Sequence, residues 1–219
     1  MRFTFAQHEF TALPQRALRW GDATLIADPH FGKADVFRAA GMPIPDGNTA
    51  ADLQRLDEAL GDAKRLIILG DFFHAKASQS EAVHVALTAW RDRHTDLDVS
   101  LVLGNHDRHA GRPPDSLGFD VRGEFAEAGL NFAHHPPEAP DTPTLCGHLH
   151  PAVRLPDYDG SHVRVPCVCV DEDVLVLPAF GSFTGGCVME PRPGRRLFAV
   201  AAGRVCEVPT TPGLQRQRR

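Results

Sequence analysis

The sequence has no apolar stretch long enough to suggest a membrane span. Its most apolar run, Val174 to Phe180, falls far short of the ~20 residues a bilayer requires and is broken by Pro178. The N-terminus has no apolar segment either: Arg2, His8, Glu9 and Arg16 interrupt it, so a secretory leader is not expected and the cytoplasm is the expected compartment. Cysteine is sparse, with five residues at scattered spacings, and an odd count argues against a disulfide framework. Cys167 and Cys169 alternate with Val168 and Val170 and so share one face of a strand. No second Cys or His pair at zinc-ribbon spacing accompanies them, which leaves the role of small buried hydrophobes. A cationic surplus is missing too. The formal net charge of -5 excludes a general electrostatic grip on nucleic acid, so any such contact must be local.

Linker-like stretches, internal repeats and low-complexity runs are likewise missing, and 219 residues suit one domain, expected over residues 1–212. The polar Leu214-Gln-Arg-Gln-Arg-Arg219 is expected to fray as a disordered basic tail over 213–219.

Five short polar clusters stand out: Asp28-Pro29-His30, Gly70-Asp71, Gly104-Asn105-His106-Asp107, His134-His135 and Gly147-His148-Leu149-His150. Each follows an apolar run that reads as a buried strand: Thr24 to Ala27, Leu66 to Leu69, Val99 to Leu103, Leu130 to Ala133 and Thr144 to Cys146. Polar groups at the carboxyl ends of apolar strands are how an α/β enzyme gathers a site from distant sequence. Carboxylates, imidazoles and an amide oxygen are the ligand mixture that a pair of divalent ions needs. Asp28 and His30, two residues apart on an extended backbone, point the same way and can share one ion. With no thiolate in the set, manganese, iron or zinc is favoured over magnesium or copper(I). His8, His84, His94, His109 and His162 belong to no motif and are not expected to ligate.

Thr49 to Leu60 reads as a helix with Leu53, Leu56 and Leu60 on one face and Gly61 ending it. A second helix is expected from Gln79 to His94, with Ser78 and Glu81 as a capping box and Val83, Leu87 and Trp90 as its buried stripe. Both lie between strands, which gives βαβ units. From Gly118 onward short alternating strands prevail, with Asp157 to Gly160 as a hairpin turn. Two packed mixed sheets with helices outside are expected.

The ordered clusters resemble the motifs of calcineurin-like metallophosphoesterases. Asp28-Pro-His-Phe-Gly-Lys33, Gly41-Met-Pro-Ile-Pro45, Gly70-Asp-Phe-Phe-His74, Gly104-Asn-His-Asp-Arg108, Gly147-His-Leu-His-Pro151 and Leu177 to Gly186 resemble the DNA-ligase-associated branch of that family. The resemblance covers Asp28 to Gly186. It implies an α/β fold, a four-layer α/β/β/α sandwich of two mixed sheets flanked by helices. It implies two divalent ions, with manganese as the metal. Asp28, His30 and His150 are assigned to the first ion and Asn105, His148 and His134 to the second, with His135 as the alternative to His134. Asp71 is expected to bridge, because a carboxylate has two oxygens to divide. Two ions would lower the pKa of a shared water and clamp the phosphoryl oxygens, while His106 acts as general acid on the leaving oxygen. Asp107 either orients the His106 imidazole or caps the following loop.

Lys33, His74 and Arg108 are candidate substrate contacts, with a plain surface role as the alternative for the two cations. In the glycine-rich Gly181 to Gly186 segment and its approach, Phe180 or Phe183 is a candidate to stack on a base, with core packing as the alternative. The expected activity is a metal-dependent phosphodiesterase, an endonuclease acting on DNA in repair, with a ligase and a helicase-like protein as pathway partners implied by the branch. The alternatives are a phosphatase or phosphodiesterase for a small phosphorylated metabolite or cyclic nucleotide, and a non-catalytic scaffold.

Overall fold

The structure is a computed structural model and describes residues 1–45, 47–157 and 159–209; the expected tail at 213–219 lies outside them. The first sheet runs in chain order through β1 (Arg2–Phe5), β2 (His8–Leu13), β3 (Ala17–Trp20), β4 (Ala23–Ile26), β5 (Arg65–Leu69), β6 (Asp98–Val102) and β7 (Asp120–Arg122). Strands β1 to β4 are antiparallel and β4 to β7 parallel. Parallel neighbours need a crossover. These are supplied by α1 (Lys33–Ala39) and α2 (Asn48–Leu60) after β4, α3 (Glu81–Arg93) after β5 and the short α4 (Asn105–Ala110) after β6.

The second sheet is built from β8 (Phe125–Glu127), β9 (Leu130–Phe132), β10 (Thr144–Cys146), β11 (Pro151–Pro156), β12 (His162–Val170), β13 (Val174–Val176), β14 (Cys187–Val188), β15 (Arg196–Ala201) and β16 (Arg204–Val208). Its order is β14-β11-β12-β13-β10-β9-β8, with β15 and β16 continuing from β12. Strands β11 and β12 form the expected hairpin, Pro156 facing His162 across it.

The alternation of side chains along each strand divides the core. Ile26, Leu66, Ile68, Val99 and Leu101 pack against Leu53, Leu56 and Leu60 of α2 and Val83, Leu87 and Trp90 of α3. Leu25, Ile67, Leu69 and Val102 point the other way and meet Leu130, Phe132, Leu145, Val168 and Leu177 of the second sheet. Burial of each such side chain contributes about 1.5–3 kcal/mol, so both faces of β5 hold the layers together. Cys146, Cys167 and Cys169 lie with Val153 and Val176 in a third cluster, to which, among the described residues, no α-helix contributes. The expected two mixed sheets with flanking helices are thus present.

Two local expectations are corrected. The second predicted helix starts at Glu81, and its cap is Ser80, whose hydroxyl accepts from the Val83 N–H. Ser78 instead closes a preceding 3-10 turn on Ala75, so it cannot cap α3. The first twenty residues, for which no strand was predicted, form the antiparallel β1–β3 extension through Phe3, Phe5, Phe10 and Ala12 facing the inter-sheet core.

Candidate metal centre

Every polar cluster lies where the chain leaves the carboxyl end of a strand. Asp28 and His30 follow β4, Asp71 follows β5, Asn105 and His106 follow β6, His134 follows β9, and His148 and His150 follow β10. Main-chain bonds hold this edge, two between the segments that follow β4 and β5 and one between the two sheets. Asp28 N–H donates to Gly70 carbonyl, His30 N–H to Asp71 carbonyl, and Phe180 N–H to Ala27 carbonyl. Asp28, His30, Asp71, His148 and His150 all adopt positive φ, between 46° and 66°. That conformation costs a non-glycine residue, and it persists here because the surrounding bonds impose it.

The side chains converge tightly. Asp28, His30 and His150 form one group whose ligand atoms lie within 4.8 Å of one another, and Asp28, Asp71 and His134 form a second. Asp71 faces two ways: Oδ1 lies 3.5 Å from His134 Nε2, and Oδ2 lies 3.8 Å from His30 Nε2. His134 Nε2 is also 2.9 Å from Asn105 Oδ1 and 3.2 Å from His148 Nδ1. His30 Nε2 and His150 Nε2 face each other at 3.4 Å, and His150 Nε2 is 3.3 Å from Asp28 Oδ1. Space for these contacts comes from glycine. A Cβ on Gly104 would collide with the Asp71 carboxylate, and one on Gly147 would lie 2.5 Å from Asp28 Oδ2.

This donor set fits divalent cations. Asp28 is fully buried, and its Oδ2 accepts from the His148 N–H, yet among the described residues its Oδ1 meets no hydrogen-bond donor, only the unprotonated His150 Nε2 at 3.3 Å. A buried carboxylate oxygen without a partner is costly unless a cation completes it. Burial pushes the imidazole pKa of His30 well down and that of His134 down to about 4. Both rings are therefore neutral near pH 7 and keep a lone pair for ligation. His134 Nδ1 donates to the Leu69 carbonyl at 2.9 Å, and His150 Nδ1 donates to the Gly185 carbonyl at 3.2 Å, so in each ring Nε2 is the free nitrogen. Of the histidine pair, His134 is buried within this cluster, while His135 is exposed at the rim, 4.2 Å ring to ring from His148.

His106 is brought beside the cluster: its N–H donates to Asp71 Oδ1 at 2.8 Å, and its Nε2 lies 4.0 Å from Asp71 Oδ2. The buried Asp107 carboxylate accepts from the Gly104 N–H at 2.9 Å and the Phe73 N–H at 3.3 Å, and burial pushes its pKa up to about 6. These bonds are of the kind the cap role would make, and among the described residues no hydrogen bond joins the carboxylate to the His106 ring. The His106 ring is held instead by the His74 carbonyl, 2.6 Å from Nδ1. The His74 side chain stacks on His106 and meets His30 edge-on, so it belongs to the wall of the centre. Lys33 reaches the same wall, where burial lowers its pKa against the opposing fields of Asp71 and Asp28. Arg108 is exposed on α4, and among the described residues no hydrogen bond or ion pair ties it to the cluster. Phe180 is fully buried as core, whereas Phe183 is 38% exposed in the glycine-rich loop. The contribution of that loop to His150, through a main-chain carbonyl, was not foreseeable from residue types.

Fold and site together define a metal-dependent phosphoesterase. The family model of the calcineurin-like phosphoesterases matches residues 23–164, and the chain belongs to that family. Among solved structures it is similar to a nuclease, MPE, of Pseudomonas putida, with 37% identity, a TM-score of 0.83, and coverage of 95% of this chain and 99% of that one. A protein of unknown function from Aquifex aeolicus follows at 20% identity, covering 58% of this chain and 78% of that one, with a TM-score of 0.39, too distant to carry weight. No curated protein matches the chain significantly. Among the described residues no helix is long and apolar enough to cross a membrane.

Proposed function

We propose that this protein is a phosphodiesterase that cuts nucleic acid, most specifically an endonuclease acting on DNA during repair in the cytoplasm. The observation that carries this reading is the divided carboxylate of Asp71, one oxygen toward His134 and the other toward His30, in a chain 37% identical to a nuclease over 95% of its length. On this reading Asp28, His30 and His150 would hold one cation, Asn105, His134 and His148 would hold the other, and Asp71 would serve both. Manganese is the proposed metal on the resemblance to the ligase-associated branch, and the oxygen and imidazole set without a thiolate suits it as it suits iron or zinc. Two such cations would supply Lewis acidity to the phosphoryl oxygens and lower the pKa of nearby water.

The remaining work belongs to the chain. His106, with Nδ1 committed to the His74 carbonyl and a side chain 37% exposed, presents Nε2 to the leaving oxygen and, as the imidazolium, donates the Nε2 proton there, leaving the neutral ring with its Nδ1 proton in place. Lys33, in the wall, offers its ammonium to a non-bridging oxygen, and exposed Arg108 to a neighbouring phosphate. Phe183 offers a face on which a base can stack. The catalytic unit is taken as one domain over residues 1–212, and a ligase and a helicase-like protein as its pathway partners. A substrate panel with manganese tests the reading: single- and double-stranded DNA, RNA, cyclic nucleotides and simple phosphomonoesters and diesters. Cleavage of DNA supports it. Turnover confined to monoesters or cyclic nucleotides would replace it with a small-metabolite enzyme.

A further inference from the structure

Beside His150 the protein carries cations that the metal chemistry does not use. The antiparallel register of β11 and β12 sets Arg154 directly opposite Arg164, both exposed. Like charges directly across a strand pair destabilise it, and no ion pair of either arginine with a carboxylate is seen among the described residues. Both lie on the face of the hairpin that also carries Ala152 and Pro166, and this face leads away from His150. A cavity of about 200 Å³ opens at its inner end, lined by Arg16, His150, Arg164, Ser182, Thr184 and Gly186. Arg164 Nη1 donates to the Gly186 carbonyl at 3.3 Å and Arg16 Nη1 to the Gly181 carbonyl at 3.2 Å, so both guanidinium groups are anchored at the loop and keep other N–H donors free. The charge stands out in a chain whose net charge is -5.

We propose that Arg16, Arg164 and Arg154 form a phosphate track that receives the backbone of a single-stranded nucleic acid next to the bond being cut. The inference rests on the nucleic-acid reading above and extends it by naming where the flanking strand lies. Guanidinium groups bind phosphate oxygens through paired N–H donors. The cross-strand repulsion is relieved when an anion lies between the two side chains. Single strands fit the arrangement because Phe183, at the other side of the same loop, can stack only on an unpaired base. The cavity shares His150 with the metal centre, so a phosphate there is continuous with the scissile one.

Arg164→Ala and Arg154→Ala test this, because both side chains are exposed and their loss should not unfold the chain; Arg16 is unsuitable, since it braces Gly181. The readout is kcat/KM for a single-stranded oligonucleotide divided by kcat/KM for a bis-aryl phosphate diester, which has no flanking phosphate. The expected result is a fall of about tenfold in that ratio for Arg164→Ala, partial recovery in Arg164→Lys, and a loss of about 0.7 from the slope of log affinity against log salt. An unchanged ratio and slope in both alanine variants would overturn the track while leaving the nuclease reading intact. Equal losses on both substrates would also overturn it, by showing that the arginines only support the metal centre. A wild-type protein that turns over the bis-aryl diester but cuts no nucleic acid would remove the occupant together with the reading on which it rests.

Discussion

The His106 imidazole donates its Nδ1 proton to the main-chain carbonyl of His74, 2.6 Å away. A carbonyl can only accept, so the tautomer is fixed and Nε2 is the nitrogen left for chemistry. As the imidazolium, the ring can hand its Nε2 proton to a leaving oxygen while Nδ1 keeps its bond to the carbonyl. His106→Ala should therefore keep its bound metal and lose hydrolysis of esters with alkoxide-like leaving groups by roughly two to four orders of magnitude. Activated aryl esters, whose leaving group needs little protonation, should lose much less. Leaving-group dependence measured on both substrate types decides it, and equal losses would assign His106 to positioning.

The phosphate bond itself offers a second check. A monoester carries an extra negative charge and profits from a dense cationic pocket, whereas a diester within a strand needs room for both flanking groups. Lys33 is partly buried in the wall, Arg16 and Arg164 lie farther out beyond His150, and Gly185 and Gly186 leave an open glycine-rich margin between them. Bis-aryl phosphate diesters should show higher kcat/KM than aryl monoesters with manganese. Cleavage of single-stranded DNA should weaken as salt is raised. A preference for monoesters with no nicking of nucleic acid would contradict the diesterase assignment.

Thiol chemistry reports on the second sheet. Cys146, Cys167 and Cys169 are at most 1% exposed, and burial pushes Cys167 up to about 12 and Cys169 to about 11, so their thiolates are scarce at pH 8. Cys187 and Cys206 are exposed. A disulfide reagent at pH 8 should titrate two thiols rapidly in the native protein and all five after denaturation. Rapid reaction of a third thiol under native conditions would show that the outer cluster is open.

At the turn after β12, Asp171 accepts from Arg195 at 2.9 and 2.7 Å and pairs with Arg192 at 3.2 Å. Burial disfavours its charge, but the two arginines outweigh burial and hold its pKa below the ordinary 3.8. A carboxyl whose pKa is depressed by folding contributes stability above its unfolded pKa and loses it as pH falls through the folded one. Asp171→Asn should be less stable than the parent at pH 7 by about 1 kcal/mol, the pair being partly solvated. Denaturant melts should show that difference shrinking below about pH 4. A difference that is constant from pH 7 to pH 2 would mean that charge plays no part.

The convergence of the polar clusters was legible because each lies within a few residues of an apolar strand, so chemistry and local structure share one short window. Helices α2 and α3 were legible from the spacing of Leu53, Leu56 and Leu60 and of Val83, Leu87 and Trp90, though the true cap of α3 was obscured by two serines two residues apart. The β1–β3 extension was missed even though Phe3, Phe5, Phe10 and Ala12 mark its buried face, because short strands interrupted by tight turns give a weak periodic signal. The partner of His106 could not be read at all. A carbonyl belongs to every residue, and the one at His74 is selected only by the path of the chain over 32 positions. The same holds for Gly185 and His150, and for Arg154 facing Arg164, which depends on strand register.

The central claim is that Asp71 is shared between two cations, and metal stoichiometry tests it most directly. Purified protein loaded with manganese and freed of excess by gel filtration should carry two ions per chain by elemental analysis. Asp71→Ala should lose metal affinity and phosphodiesterase turnover together, because two cationic sites would be left without their common anion. Two ions per chain with normal turnover in Asp71→Ala would contradict the account.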